Sequence, residues 1–229
     1  MIYKNRVEAG KELAQALALY ENQESVILAL PRGGAVVAAQ ISRAFDAPLD
    51  LVLVRKLGAP MQPELAMGAV VDDAEISVVR NEDIISSYGI TEEEFDYVLN
   101  AELDEIERRR RLYLGDRPRA RVRGRVAIVV DDGIATGATV RAACKAIRKR
   151  NPAELVIAAP VAPTSISEEL GGDADEIVCP HCFEPFYAIG FYYEDFRQIS
   201  DEEVIRILDC TRAPGAASRR ERYSASGKL

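Results

Sequence analysis

Residues 126–139 read V-A-I-V-V-D-D-G-I-A-T-G-A-T, an apolar run that ends in two adjacent acids and then a small-residue loop edged with threonines. Five β-prone residues, Val126–Val130, read as a strand buried on both faces. Gly133, Gly137 and Ala138 then let the chain turn with its amides facing outward. Such a loop suits a phosphate: backbone N–H groups at a turn into a helix form an anion cradle, and the Thr136 and Thr139 hydroxyls add donors. Asp131 and Asp132 are unsuited to that same phosphate. Paired carboxylates need a metal ion or the vicinal hydroxyls of a sugar. The segment therefore asks for a ligand that carries both ribose hydroxyls and a phosphate. A nucleotide P-loop would need a lysine after Gly137, and Ala138 stands there.

Working outward, apolar positions Val7, Leu13, Leu17 and Tyr20 predict a helix over 5–21, followed by a short buried strand over 25–30. That strand stops at Pro31-Arg32-Gly33-Gly34, and small residues continue as a helix over 35–44. A second apolar strand spans 49–54 and ends at Arg55, Lys56 and a Gly58-Ala59-Pro60 turn; another strand spans 155–159, and a helix 138–150 precedes it. This alternation predicts an α/β fold, an open parallel sheet with helices on both faces, whose ligands gather at the carboxyl ends of the strands. Between 58 and 124 the alternation breaks. A hairpin of 67–71 and 75–80 turned at Asp72-Asp73 is expected there, then a long polar helix capped by Thr91 and running to about Leu114. The expected organisation is one domain over 1–213, with 58–124 as an insertion, 164–213 as a small C-terminal hood and 214–229 as a disordered tail.

The chain has 229 residues, a net charge of -8 and a pI near 4.9, which argues against broad binding to nucleic acid or to an anionic membrane. No apolar run approaches the roughly 20 residues needed to span a bilayer. The start of the chain lacks a secretory pattern, so a cytoplasmic location is expected. Cys144, Cys179, Cys182 and Cys210 are too few and too unevenly spaced for a disulfide framework.

The apolar strand, the two acids and the T-G-x-T loop together resemble the type I phosphoribosyltransferases, most closely an uncharacterised group of predicted phosphoribosyltransferases that shares P-E-L-A-M-G-A and E-P-F-Y-A-I-G-F-Y-Y-E-D-F. The resemblance implies transfer of the 5-phosphoribosyl group of phosphoribosyl pyrophosphate (PRPP) to a nitrogenous base or related nitrogen acceptor, with release of pyrophosphate and dependence on Mg²⁺. Purine or pyrimidine salvage is the implied setting, and a homodimer the implied assembly. It assigns Asp131 and Asp132 to the ribose hydroxyls and, directly or through water, to Mg²⁺. The 5′-phosphate falls to Ala135, Thr136, Gly137, Ala138 and Thr139. Arg32, Gly33 and Gly34 become the pyrophosphate loop, and Arg55 and Lys56 cations for the same leaving group. Asp131, Asp132, Arg32 and Lys56 are then the catalytic set. In the related hypoxanthine and guanine enzymes an aspartate stands where this chain has Ala135, which leaves the general acid or base unassigned. The insertion occupies the place of the family's closing loop, with a rigid packing arm as the alternative.

Phe186, Tyr187, Phe191 and Tyr192, in the only aromatic concentration of the chain, are candidates to stack on an acceptor base. Cys179-Pro180-His181-Cys182 has dithiol or half-zinc spacing, but no second pair completes a zinc shell. The other reading of the whole chain is a non-catalytic PRPP- or nucleotide-sensing regulator on the same fold.

Overall fold

The computed structural model describes residues 2–72 and 76–211. The chain runs α1 (Arg6–Ala16), β1 (Ser25–Ala29), α2 (Gly33–Phe45) and β2 (Leu49–Leu51), and then β3 (Leu53–Ala59), β4 (Gln62–Asp72) and β5 (Ile76–Arg80). Next come α3 (Glu82–Ser87), α4 (Glu92–Tyr113), β6 (Val126–Val130), α5 (Ala138–Arg148), β7 (Glu154–Ala158) and β8 (Val161–Pro163). It closes with α6 (Ile166–Leu170), β9 (Glu176–Val178), β10 (His181–Phe183), a short 3-10 turn (Ile189–Tyr192) and α7 (Asp201–Cys210).

Five strands form a parallel sheet in the order β2-β1-β6-β7-β9. The central strand β6 is buried along its whole length, as an uninterrupted apolar run requires. Alternation along the strands sorts the side chains into two cores. Ile27, Ala29, Ile128, Val130, Val156 and Ala158 face α1, α2 and α7, whereas Val26, Leu28, Ala127, Val129, Leu155 and Ile157 face α5 and α6. The fold is therefore the expected α/β class with helices on both faces. β1 and β6 pair in register from Ser25 opposite Val126 to Ala29 opposite Val130. Their carboxyl ends thus place the Pro31–Gly34 segment beside Asp131 and Asp132.

The apolar run 49–54 is not one strand. Only Leu49–Leu51 pairs with β1; from Leu53 the chain enters a separate antiparallel sheet, β3-β4-β5. Arg55 and Lys56 consequently lie inside β3 instead of ending a strand of the main sheet. The expected hairpin exists, although its first strand begins at Gln62 and Asp73 of its turn lies outside the described residues. Leu57, Met67 and Val70 of this sheet bury against Ile85 of α3 and Phe95 and Ile106 of α4, so the insertion carries a core of its own. Thr91 and Glu94 close a capping box at the start of α4, as the T-E-E-E sequence predicts. The first helix ends at Ala16 and yields to a 3-10 turn, short of the expected 21. Within the expected hood, β9 joins the main sheet and α7 packs Val204 and Leu208 into the α2 face. The expected tail 214–229 lies outside the described residues.

Candidate active site

The two acids follow β6 directly, and the first turn of α2 presses against them. A methyl group on Gly33 would stand 1.9 Å from Asp132 Oδ2, and one on Gly34 would stand 2.7 Å from the Val130 carbonyl oxygen and 3.2 Å from Asp131 Oδ1. The two glycines are thus needed for close approach, since any side chain would displace the acids. Gly33-Gly34 and Asp131-Asp132 form one contiguous surface. Asp131 Oδ1 accepts the Asp132 amide at 2.9 Å. Burial, and next the charge of Asp132, push the Asp131 carboxyl well above the ordinary carboxylate range. Asp132 is held from two sides: its Oδ2 accepts from Arg6 Nε at 2.7 Å, and Tyr193 Oη donates to its backbone carbonyl at 2.6 Å.

Beyond the acids, the loop leading into α5 encloses a cavity of 160 Å³ lined by Asp131, residues 133–140 and Ile189. The Ile134 amide is taken by the Val161 carbonyl at 2.9 Å, which fixes the base of the loop. Gly137 adopts the left-handed conformation, φ 68°, and caps α5, so a branched or larger residue there is strained. Ala135, Thr136, Ala138 and Thr139 are exposed around this cup. The first turn of α5 contributes amides that have no partner within the helix. A cup of this size with donors on its wall accommodates one phosphoryl group.

The cations are engaged elsewhere. Arg32 Nη1 stands 3.4 Å from Asp201 Oδ1, which also accepts the Tyr113 hydroxyl at 2.5 Å. The Tyr113 hydrogen bond, with Arg32 and Arg108 nearby, holds the Asp201 carboxyl below its usual range. Lys56 Nζ pairs with Glu64 Oε2 at 3.1 Å, and Arg55 with Glu102. Arg55 and Lys56 line a different cavity, of 670 Å³, between the β3-β4 hairpin and α4, and no residue lines both it and the cup at Asp131. The structure therefore sets Gly33 and Gly34 against the acid pair, turns the Arg32 side chain to Asp201, and places Arg55 and Lys56 on the insertion.

The four aromatic candidates divide into two pairs. Tyr192 is buried, stacked between Phe183 at 4.4 Å and Phe186 at 5.1 Å, whereas Tyr187 and Phe191 are 71% and 66% exposed and touch each other. Between them Ile189 reaches the cup, where a methyl on Gly133 would meet its Cγ2 at 2.5 Å. His181 Nε2 stands 2.7 Å from Glu12 Oε1, and Cys179 Sγ donates to the His181 carbonyl at 3.4 Å while Cys182 is exposed. Arg108 and Arg109, near the end of α4, pair with Glu105, and Arg117 beyond it donates to the Leu208 carbonyl.

Arg6 was not singled out from the sequence. Its signal was a charge on an otherwise apolar face, since Arg6, Ala9, Gly10, Leu13 and Ala14 share the buried side of α1. Tyr193 offered a weaker one, within an aromatic cluster read only as a base platform.

The family model of the phosphoribosyl transferase domain matches residues 1–186. A Mycobacterium tuberculosis (strain H37Rv) protein provisionally named a phosphoribosyl transferase is 41% identical over 208 residues, covering 91% of this chain and 46% of its own length. The crystal structure of TT1426 from Thermus thermophilus superposes with a TM-score of 0.74 at 38% identity, covering 91% of this chain and 98% of that one. The chain belongs to the phosphoribosyl transferase domain family. It spans about half the length of the curated relatives it matches. Among the described residues no helix is long and apolar enough to cross a membrane.

Proposed function

We propose that the chain transfers the 5-phosphoribosyl group of PRPP to a nitrogenous base or a related nitrogen acceptor and releases pyrophosphate. The observation that carries this reading is the contiguity of Gly33 and Gly34, the acids and the cup at 133–140, because one surface then offers places for a pyrophosphate, two ribose hydroxyls and a 5′-phosphate. Breaking the anomeric C–O bond puts positive charge on the ribose ring and negative charge on the departing pyrophosphate. Asp131, backed by Asp132, accepts from the hydroxyls and favours the cationic ring. Arg32 and the opening amides of α2 meet the pyrophosphate, and the cup anchors the 5′-phosphate so that remote binding energy orients the ring. Lys56 and Arg55 would reach the leaving group only by exchanging Glu64 and Glu102 for it. Removing one such electrostatic contact costs on the order of 3 kcal/mol of barrier.

Mg²⁺ fits this donor set. The ion needs only one or two protein carboxylates when phosphate oxygens and water complete its shell. Asp131 lines the cup, and burial together with the neighbouring Asp132 opposes its ionisation, which a bound cation would favour. When bound, the ion neutralises pyrophosphate charge. Tyr187 and Phe191 are the aromatic faces open to a planar acceptor. Purine or pyrimidine salvage in the cytoplasm is the setting proposed for this chemistry. Incubation with PRPP, Mg²⁺ and a panel of purines, pyrimidines and other amines should release pyrophosphate with at least one acceptor. Tight PRPP binding with no pyrophosphate from any acceptor would favour the sensing regulator instead.

A further inference from the structure

Asp131 and Asp132 are adjacent in sequence but do not stand in equivalent surroundings. Asp131 lines the cup, and Asp132 does not. The Asp132 carboxylate is turned toward Arg6, its backbone carbonyl is held by Tyr193, and the Asp132 and Arg6 side chains are 12% and 8% exposed. Arg6 arrives from the opening turn of α1, far from the motif in sequence. Its guanidinium carbon stands 3.9 Å from the Phe196 ring centroid, and Nη1 donates to the Arg197 carbonyl at 2.9 Å. Stacking and two directed hydrogen bonds hold the guanidinium in a single place. The same group borders the α2 turn, because a methyl on Gly33 would lie 2.9 Å from Arg6 Nε. One arginine therefore touches both halves of the proposed ligand surface from behind.

We propose that Arg6 is a positioning residue of the PRPP site: it neutralises Asp132 and holds it against the Gly33 turn, leaving Asp131 as the one carboxylate presented to the ribose hydroxyls. The inference rests on the proposed function and deepens it. Two uncompensated carboxylates would repel a ligand as anionic as PRPP, and a dry ion pair removes one of those charges without a water or a metal. The acids then divide their work. Asp131 contacts the sugar, while Asp132 shapes the turn that receives the pyrophosphate.

The test is calorimetric titration of PRPP with Mg²⁺ into the full chain and its variants, with thermal melting alongside. Asp131→Asn should lose binding, and Asp132→Asn should weaken it by less than about tenfold. Arg6→Gln, which exposes the Asp132 charge, should weaken it by more than about tenfold, and Arg6→Lys should recover most of that loss. The double variant Arg6→Gln with Asp132→Asn should bind as Asp132→Asn does, because the charge to be neutralised is gone. A bridge that only holds the fold would make affinity follow melting temperature and leave the double variant no better than Arg6→Gln, which overturns the proposal. If Arg6→Gln does not fold, Asp132→Asn decides: loss of binding as complete as in Asp131→Asn overturns the division of roles. Absence of PRPP binding by the unmodified chain would instead overturn the reading of the pocket.

Discussion

The carboxyl edge of the parallel sheet and the insertion of β3-β5 with α3 and α4 are built on opposite plans. At the sheet edge, backbone approaches backbone, glycines replace side chains and two acids are crowded together with partners drawn from distant segments. The insertion instead hides a small apolar core beneath a surface of neighbouring ion pairs, such as Arg80 with Glu92 and Arg108 with Glu105. In the first arrangement burial and a neighbouring carboxylate oppose ionisation of Asp131; the second satisfies its charges locally. The proposed binding chemistry thus falls on the sheet edge, and stability belongs in separate shares to both.

Phe95→Ala gives the largest expected effect on stability. Phe95 is 1% exposed beneath the Arg80 guanidinium, and its removal should cost about 3–5 kcal/mol while PRPP affinity at low temperature stays within about threefold. An equal fall in affinity would break the separation of the two regions. Gly33→Ala should cost less in stability, about 1–3 kcal/mol, yet weaken PRPP binding by roughly tenfold or more, because the methyl lands on Asp132. Titration and melting of the same variant check both halves of that statement. Glu105→Gln is the smallest. Hydrogen bonds from Arg108 and Arg109 pull the Glu105 carboxyl from 4.5 down to about 2, so its stabilisation is present above 4.5 and is lost as pH falls toward 2. The substitution should flatten the acid limb of the melting curve in that window, cost less than about 1 kcal/mol at neutral pH and leave PRPP binding unchanged.

The strand and loop of the sheet edge were legible because their own signals are local in sequence. An unbroken apolar run gave β6 its residues, Val126–Val130, and the glycines flanking the acids marked where backbones must meet. The division of 49–54 between two sheets was hidden, since a short apolar run carries no mark of which sheet it will pair with. Arg55 and Lys56 were placed at the end of a main-sheet strand for the same reason. Glu64 and Glu102, which pair with them, become neighbours only once β3 folds onto β4 and α4. The role of Arg6 depends on contacts with Asp132, Phe196 and Arg197, all distant along the chain, and only its place on an apolar helix face gave warning. β9 was missed because three residues are too few to show a period.

The central claim is that Asp131 and the cup beside it hold the ribose and 5′-phosphate of PRPP. Titration of PRPP and Mg²⁺ into the unmodified chain and Asp131→Asn tests it most directly. Saturable binding by the first, and its loss in a variant that melts no lower than the parent, is the predicted result, since the substitution removes a carboxyl whose charge is opposed by burial and by Asp132. Undiminished binding by Asp131→Asn would contradict the account.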